Sequence, residues 1–294
     1  MHLIQTLSVA ATAALGLAGV YAAPSGTIKP VNGDSFVLSG AVPTSAIGDL
    51  QAFVTYAGAA YSTPEIIKAN SGLQNIQYFV DESENLEAAF VGLDQGRRTI
   101  VVSWRGTVQT LVDWLADFDV VFDQPSFLSG DAKVSSGFIK CYNAIQSNVT
   151  SAVQELASQN PGFTVTYTGH SLGGATATIA AAHALTYLNG QVDPSQIFLV
   201  NFGSPRVGNS DFAEFFNSAG FGDIWRSANF DDIVPQLPPR GIGYVHVGPS
   251  SIGLDESANP PNPTYCGTDG SSECEFGITF NIRTQHGNYY DLKI

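Results

Sequence analysis

The most constraining feature of this sequence is a serine between two glycines, where a strand pattern meets a helix pattern. Ser171 lies in the segment 169–173, which reads G-H-S-L-G. The apolar β-type run 163–168 precedes it, and an alanine-rich helical pattern over 172–188 follows it. A strand that turns sharply into a helix holds such a serine alone above the sheet, and side chains larger than glycine would clash there. We therefore predict that Ser171 is a nucleophile on a strained turn.

Strand patterns alternate with helix patterns along most of the chain. Strands are predicted at 88–93, 99–104, 163–168, 196–202, 224–227 and after 244, and helices at 172–188 and 210–217. This alternation favours a mainly parallel central sheet with helices on both faces, which is the α/β class.

The amino terminus has the features of a secretory signal peptide. Residues 3–20 are apolar and rich in small residues, and the segment 20–22 suits cleavage after Ala22. We therefore expect a signal peptide at 1–22 and one catalytic domain at 23–294, and hence a secreted, extracellular protein. The alternative, a membrane anchor, is disfavoured because the run is short and lacks basic flanks.

The net charge restricts the partners. The formal charge is −14, so the protein would repel nucleic acids and anionic membrane surfaces, and neutral substrates are expected.

No two histidines have the H-x-x-x-H spacing of a metal-binding helix, and we predict neither a metal nor a cofactor. No later stretch is long and apolar enough to cross a bilayer, and we expect a monomer, although the sequence does not determine the oligomeric state.

A serine hydroxyl needs a base to remove its proton, and the base is usually histidine. The chain has five histidines, which are His2, His170, His183, His246 and His286. The first lies in the signal peptide, the second is adjacent to Ser171 on the turn, and the third lies in an apolar helix pattern. His286 follows in a polar loop near the carboxyl terminus, whereas His246 lies in an alternating, strand-like run. In α/β-hydrolases, whose nucleophilic serine lies on such a strand–turn–helix, the order along the chain is serine, acid, histidine, so we favour His286 as the base.

The acid must lie between the serine and the histidine and must orient the imidazole. Asp231 and Asp232 follow the predicted strand at 224–227, and one of the two should point into the site. Asp193, Asp211 and Asp223 are typical of turns and helix caps.

The three cysteines differ in their surroundings. Cys266 and Cys274 flank a loop rich in Gly, Ser and Asp, and we predict a disulfide between them. Cys141 falls on the apolar face of a helical pattern over 138–145, and we predict a buried free thiol. Asn148 begins the only N-x-S/T triplet in which x is not proline, and it is the candidate N-glycosylation site.

Four ordered motifs resemble those of the fungal class 3 lipases, the family that also contains the type A feruloyl esterases. They are VSWRGT at 102–107, YTGHSLGGA at 167–175, FGSPRVGN at 202–209 and DIVPQLPP at 232–239. The resemblance implies the α/β-hydrolase fold, Asp232 rather than Asp231 as the acid, and His286 as the base. It also implies that His246 is structural.

The oxyanion hole is predicted partly from the turn and partly from the resemblance. The backbone N–H of Leu172, at the start of the helix, is one donor to the developing oxyanion. The resemblance implies that Thr107 supplies the other through its N–H and its hydroxyl. Two positions depart from the family pattern. Ser135 stands where the family usually has histidine, and no cysteine precedes Cys141, so an amino-terminal disulfide found in several members is absent.

The segment 108–118 follows Thr107 and has a mostly apolar helical pattern. Leu111, Val112, Trp114 and Leu115 contribute to its apolar surface. The segment matches the position of the lid in the class 3 lipases, so we interpret it as a mobile cover, with a fixed core helix as the alternative.

An apolar lid favours a triacylglycerol lipase that hydrolyses acylglycerols through an acyl-enzyme at an oil–water interface. The alternative is a feruloyl esterase or a general carboxylesterase that acts on smaller esters. A more remote alternative is an inactive, lipid-binding relative, which the complete order of serine, aspartate and histidine disfavours.

Overall fold

A single large sheet with helices on both faces forms the framework of the fold. The computed structural model describes residues 40–42, 44–81, 87–107, 119–229, 232–248, 251–254, 263–266 and 286–294. Within these ranges nine strands form one sheet, in the order β1-β11-β10-β9-β8-β7-β4-β3-β2, and two small two-stranded sheets accompany it.

The strands and helices have the following bounds. The strands are β1 Gly40–Ala41, β2 Gln74–Val80, β3 Ala88–Asp94, β4 Thr99–Trp104, β5 Phe122–Asp123, β6 Val134–Ser135, β7 Thr164–His170, β8 Ile197–Phe202, β9 Ile224–Asn229, β10 Ser251–Leu254, β11 Thr264–Cys266, β12 Asn288–Tyr289 and β13 Leu292–Lys293. The helices are α1 Thr44–Ala59, α2 Pro64–Asn70, α3 Ser136–Gln159, α4 Leu172–Tyr187 and α5 Ser210–Ser218. Within the described ranges, none of the helices has both the length and the apolar character needed to cross a membrane.

The centre of the sheet is parallel. Strands β4, β7, β8, β9 and β10 run in the same direction, and antiparallel strands flank them on both sides. Trp104 of β4 is paired with Gly169 of β7, and His170 is paired with Phe202 of β8. The carboxyl ends of β4, β7 and β8 therefore meet at one edge of the sheet, where ligands bind in open α/β folds.

Alternating residues of each central strand face opposite layers of the core. On β4, Ile100, Val102 and Trp104 belong to the buried cluster that includes α3 and α4. Val101 belongs to the buried cluster that includes α1. Because both faces are covered, the central strands carry continuous apolar runs instead of a polar alternation.

Most of the predicted elements are confirmed to within two residues. The predicted strands at 88–93, 99–104, 163–168, 196–202 and 224–227 correspond to β3, β4, β7, β8 and β9, and the two predicted helices correspond to α4 and α5.

The strand predicted after 244 corresponds to β10 but begins later than the run 244–247 indicated, and several elements, among them α1 and β2, were not predicted. The run 244–247 makes only an isolated bridge, between Val245 and Gly208, and the next strand starts at Ser251. Helix α1 contains glycines and β-branched residues that obscure its pattern. The pairing of β2 with β3 shifts register between Gln74 and Gln77, where Asn75 has a positive φ, so its residues do not alternate regularly.

Candidate active site

The backbone at Ser171 is strained. Its φ of 59° and ψ of −129° lie outside the regions that non-glycine residues normally adopt. The residue links β7 directly to α4, and its N–H donates to the carbonyl of Phe202 at 2.9 Å. A Cβ atom at Gly169 would overlap the carbonyl of Gly173, and one at Gly173 would overlap the carbonyl of Trp104. This agrees with the prediction that both flanking positions require glycine.

The carboxylate of Asp232 is buried and receives three hydrogen bonds. Its Oδ1 accepts from the N–H of Val234 at 2.9 Å. Its Oδ2 lies 2.7 Å from Nδ1 of His286 and accepts from the hydroxyl of Tyr289 at 3.2 Å. Since the side chain of Asp232 is only 1% exposed, water contributes little to its solvation, and these donors hold its position. The other candidate acid, Asp231, lies outside the described residues.

Ser171 and His286 each present a buried polar atom toward the site. Oγ of Ser171 and Nε2 of His286 are both buried and have no hydrogen-bond partner within the described part of the chain. A buried polar atom without a partner costs about 1–3 kcal/mol, so such atoms mark strained or reactive positions. These are the two atoms between which a serine-to-histidine proton transfer takes place. The structure therefore leaves open the two atoms that the predicted chemistry needs.

Gly203 accounts for the close approach of the acid and the base. This residue follows β8 and has a φ of +57°. A Cβ atom here would come within 2.6 Å of the hydroxyl of Tyr289, 3.0 Å of Oδ2 of Asp232 and 3.1 Å of Cε1 of His286. Any side chain at this position would displace the acid–base pair. Neither Gly203 nor Tyr289 was predicted as a site residue, although Gly203 lies in the third family motif.

Two other histidines have structural partners. His183 is half-buried on α4, its Nδ1 lies 2.7 Å from the hydroxyl of Tyr142, and Phe127 stacks on its ring. Burial lowers the pKa of His183, so its neutral form is favoured. His246 is buried, and its Nε2 lies 2.8 Å from the carbonyl of Pro235, in the turn that follows Asp232.

The two predicted oxyanion donors lie at the carboxyl edge of the sheet. Leu172 is the first residue of α4, so its N–H has no acceptor within the helix and lies at the positive end of the helix dipole. Thr107 lies three residues after the end of β4, the strand that is paired with β7. Thr107 is half-buried.

Several predicted features lie wholly or partly outside the described residues. These are the signal peptide at 1–22, the lid residues Leu111, Val112, Trp114 and Leu115, and Cys274. Cys266 is disulfide-bonded. In the described segments, His, Cys, Asp and Glu side chains form no group of three or more that could hold a metal ion.

Cys141 and Asn148 both lie on α3. Cys141 has a free thiol and is half-buried, less deeply than the sequence predicted, whereas its neighbours Phe138, Tyr142 and Ile145 are buried. Burial and the nearby carboxylate of Glu87 raise the pKa of this thiol, which disfavours the reactive thiolate. Asn148 is exposed.

Comparison with known proteins agrees with this geometry. The model of the family "Lipase (class 3)" matches residues 101–242. A secreted mono- and diacylglycerol lipase 1 of Fusarium solani is 38% identical over 161 residues, which cover 55% of this chain and 46% of that protein. A lipase of Rhizomucor miehei is 34% identical over 206 residues, which cover 69% of this chain and 55% of that protein. The chain thus spans about half the length of these curated relatives.

Solved structures extend the similarity to most of the fold. A Rhizomucor miehei triacylglyceride lipase superposes with a TM-score of 0.77 at 28% identity and covers 86% of this chain and 97% of that one. A Rhizomucor miehei lipase–propeptide complex gives the same TM-score at 29% identity. The architecture is that of the α/β-hydrolases, with a mostly parallel central sheet. The family match, the relatives and the strained serine turn lead to one conclusion: residues 101–242 of this chain belong to the class 3 lipase family.

Proposed function

We propose that this protein is a secreted serine ester hydrolase that acts on acylglycerols. The observation that carries the proposal is the arrangement of Ser171, Asp232 and His286. The carboxylate of Asp232 engages Nδ1 of His286, while Nε2 of His286 and Oγ of Ser171 are both buried and open. Most buried polar side-chain atoms of native proteins have a hydrogen-bond partner, so two open atoms beside an aspartate–histidine pair favour a catalytic role.

In the proposed mechanism, Nε2 of His286 takes the proton of Ser171 as the serine oxygen attacks the ester carbonyl. Asp232 accepts from Nδ1–H of His286, which keeps Nε2 free to act as a base and stabilises the imidazolium that forms. The N–H groups of Leu172 and Thr107 donate to the carbonyl oxygen as it becomes negative. The imidazolium then protonates the leaving alcohol, and an acyl-enzyme remains on Ser171. Attack by water, with His286 again as the base, releases the carboxylic acid.

The acylglycerol substrate is inferred from the relatives and from apolar surface. The relative from Fusarium solani is named a mono- and diacylglycerol lipase, and the Rhizomucor miehei protein is named a lipase. Val120 and Val121, next to the proposed lid segment 108–118, are 43% and 64% exposed. With a net charge of −14, adsorption to a lipid surface would depend on such apolar side chains, and an uncharged oil surface suits them best.

Two assays test the proposal. A fluorophosphonate, which reacts only with an activated serine, should label the parent protein and leave Ser171→Ala unlabelled. Hydrolysis rates for tributyrin, triolein and methyl ferulate, measured below and above the solubility limit of each triglyceride, should favour the triglycerides. Faster hydrolysis of methyl ferulate would support the alternative of a small-ester esterase. Failure to label the parent protein would support the inactive, lipid-binding relative.

A further inference from the structure

We infer that His170, the residue before the proposed nucleophile, is a positioning residue that holds the main chain of His286 in place for catalysis. The inference rests on the proposed function, because it concerns the base of that mechanism. Nε2 of His170 lies 2.5 Å from the carbonyl oxygen of His286, across 116 residues of sequence. Its Nδ1 lies 3.0 Å from the hydroxyl of Tyr61.

The hydrogen-bond partners determine which nitrogen of His170 carries the proton. A carbonyl oxygen can only accept, so Nε2 of His170 must be the donor to His286. In the neutral ring Nδ1 is then an acceptor, and the hydroxyl of Tyr61 donates to it. Burial raises the pKa of Tyr61, which therefore keeps the proton that it donates. Tyr61 in this way selects the tautomer of His170 that can hold His286.

His170 remains uncharged beside the base. Its side chain is buried, and its ring centroid is 4.4 Å from that of His286. Burial lowers the pKa of His170 well below its usual value, and the neighbouring His286 lowers it further. When His286 becomes an imidazolium during turnover, the neutral His170 therefore adds no second positive charge that would repel it, and the hydrogen bond from His170 to the carbonyl of His286 is retained.

His286 is held at its side chain by Asp232 and at its main chain by His170. The next peptide is also held, because the carbonyl of Gly287 accepts from the N–H of Ile294 at 2.8 Å. Without the bond from His170, the peptide of His286 could rotate while Nδ1 stayed on Asp232, and Nε2 would swing away from Ser171. A displacement of about 1 Å in a catalytic group can cost about 100-fold in rate.

Tyr61 also connects this link to the oxyanion loop. A Cβ atom at Gly106 would overlap the hydroxyl of Tyr61 and would approach the carbonyl of His170 to 2.7 Å. Tyr61 follows α1, Gly106 precedes the predicted oxyanion residue Thr107, and His170 precedes the nucleophile. The hydroxyl of Tyr61 thus contacts the loop after β4 and the turn at Ser171, and through His170 it acts on the segment that holds His286.

Two amide substitutions and one apolar substitution separate positioning from simple packing. In His170→Gln, the side-chain amide reaches the place of Nε2 and can still donate to the carbonyl of His286. In His170→Asn, the amide reaches only the place of Nδ1, so the bond to Tyr61 survives and the bond to His286 is lost. We expect kcat for a soluble p-nitrophenyl ester to fall about 100-fold in His170→Asn and less than about tenfold in His170→Gln, with KM nearly unchanged in both.

Packing alone predicts that the loss follows the volume removed, and glutamine is closer than asparagine to imidazole in volume, so an apolar control is needed. His170→Met is as long as glutamine but cannot donate to the carbonyl of His286. Positioning predicts a loss in kcat close to that of His170→Asn, whereas packing predicts a loss close to that of His170→Gln. A His170→Met variant that matches His170→Gln, equal values of kcat in the two amide variants, or a loss that appears only in KM would overturn the inference. If thermal denaturation shows that His170→Asn is not folded, Tyr61→Phe provides the second test, with an expected loss of about fivefold in kcat. An unchanged kcat in Tyr61→Phe would then overturn the inference. Fluorophosphonate labelling of the parent separates the two levels, since an unlabelled Ser171 would refute the proposed function itself, and with it this inference.

Discussion

Replacing Asp232 by asparagine should remove most of the activity without unfolding the protein, and the hydrogen bonds explain why. The carboxylate accepts from Val234 at Oδ1 and from His286 and Tyr289 at Oδ2. An amide has only one acceptor oxygen. If its oxygen faces His286, its NH₂ group meets the N–H of Val234, and two buried donors are left facing each other at a cost of about 1–3 kcal/mol.

The opposite orientation of the amide is therefore favoured. The oxygen then accepts from Val234, and the NH₂ group faces His286 and Tyr289. The hydroxyl of Tyr289 can rotate and accept, and the imidazole can accept at Nδ1 by moving its proton to Nε2. That tautomer cannot take a proton from Ser171, so we expect kcat to fall about 10⁴-fold, the scale of the loss when a triad carboxylate becomes an amide.

Steady-state hydrolysis of a soluble p-nitrophenyl ester measures the loss, and thermal denaturation checks the fold. The melting temperature of Asp232→Asn should stay within a few degrees of the parent. The neighbouring Asp231→Asn is the matched control and should have a mild effect. A loss below about tenfold in Asp232→Asn, or equal losses in the two variants, would refute this account of the acid.

Three further predictions concern other parts of the molecule. His286→Ala should lower kcat by about 10⁶-fold, whereas His246→Ala, which removes only a contact to the turn after Asp232, should lower it far less. The reverse order in the same ester assay would show that His286 is not the base. Burial lowers the pKa of His183 in the folded state, so its contribution to stability is present above pH of about 6.5 and is lost as the pH falls toward the lowered pKa. The melting temperature should therefore drop between pH 7 and 5, and it should drop less in His183→Gln. Parallel curves of melting temperature against pH for the two proteins would contradict this. If the segment 108–118 is a mobile apolar lid, Leu111→Ser combined with Trp114→Ser should reduce the rise in tributyrin hydrolysis above the solubility limit while sparing hydrolysis of the soluble ester. The reason is that each large side chain buried in oil contributes about 1.5–3 kcal/mol. A double variant that unfolds would instead identify a core helix.

The sequence alone determined the features that depend on neighbouring residues. The strand β7, the glycines around Ser171 and the helix α4 follow one another without interruption, so their local pattern predicts the turn. Strands buried on both faces appear as continuous apolar runs, and this is why β3, β4, β8 and β9 were predicted nearly to the residue. The choice between Asp231 and Asp232 came from family resemblance, because two adjacent carboxylates carry no local signal that distinguishes them.

Contacts between distant segments were decided only by the tertiary structure. Tyr61 and His170 are 109 residues apart, and His170 and His286 are 116 residues apart, yet they form one hydrogen-bonded chain. Tyr289 is bonded to Asp232 across 57 residues. The run 244–247 alternates like a strand but forms only the bridge at Val245. Hydrophobic periodicity reports which side of an element is buried, whereas a hydrogen bond between loops depends on where packing places their ends.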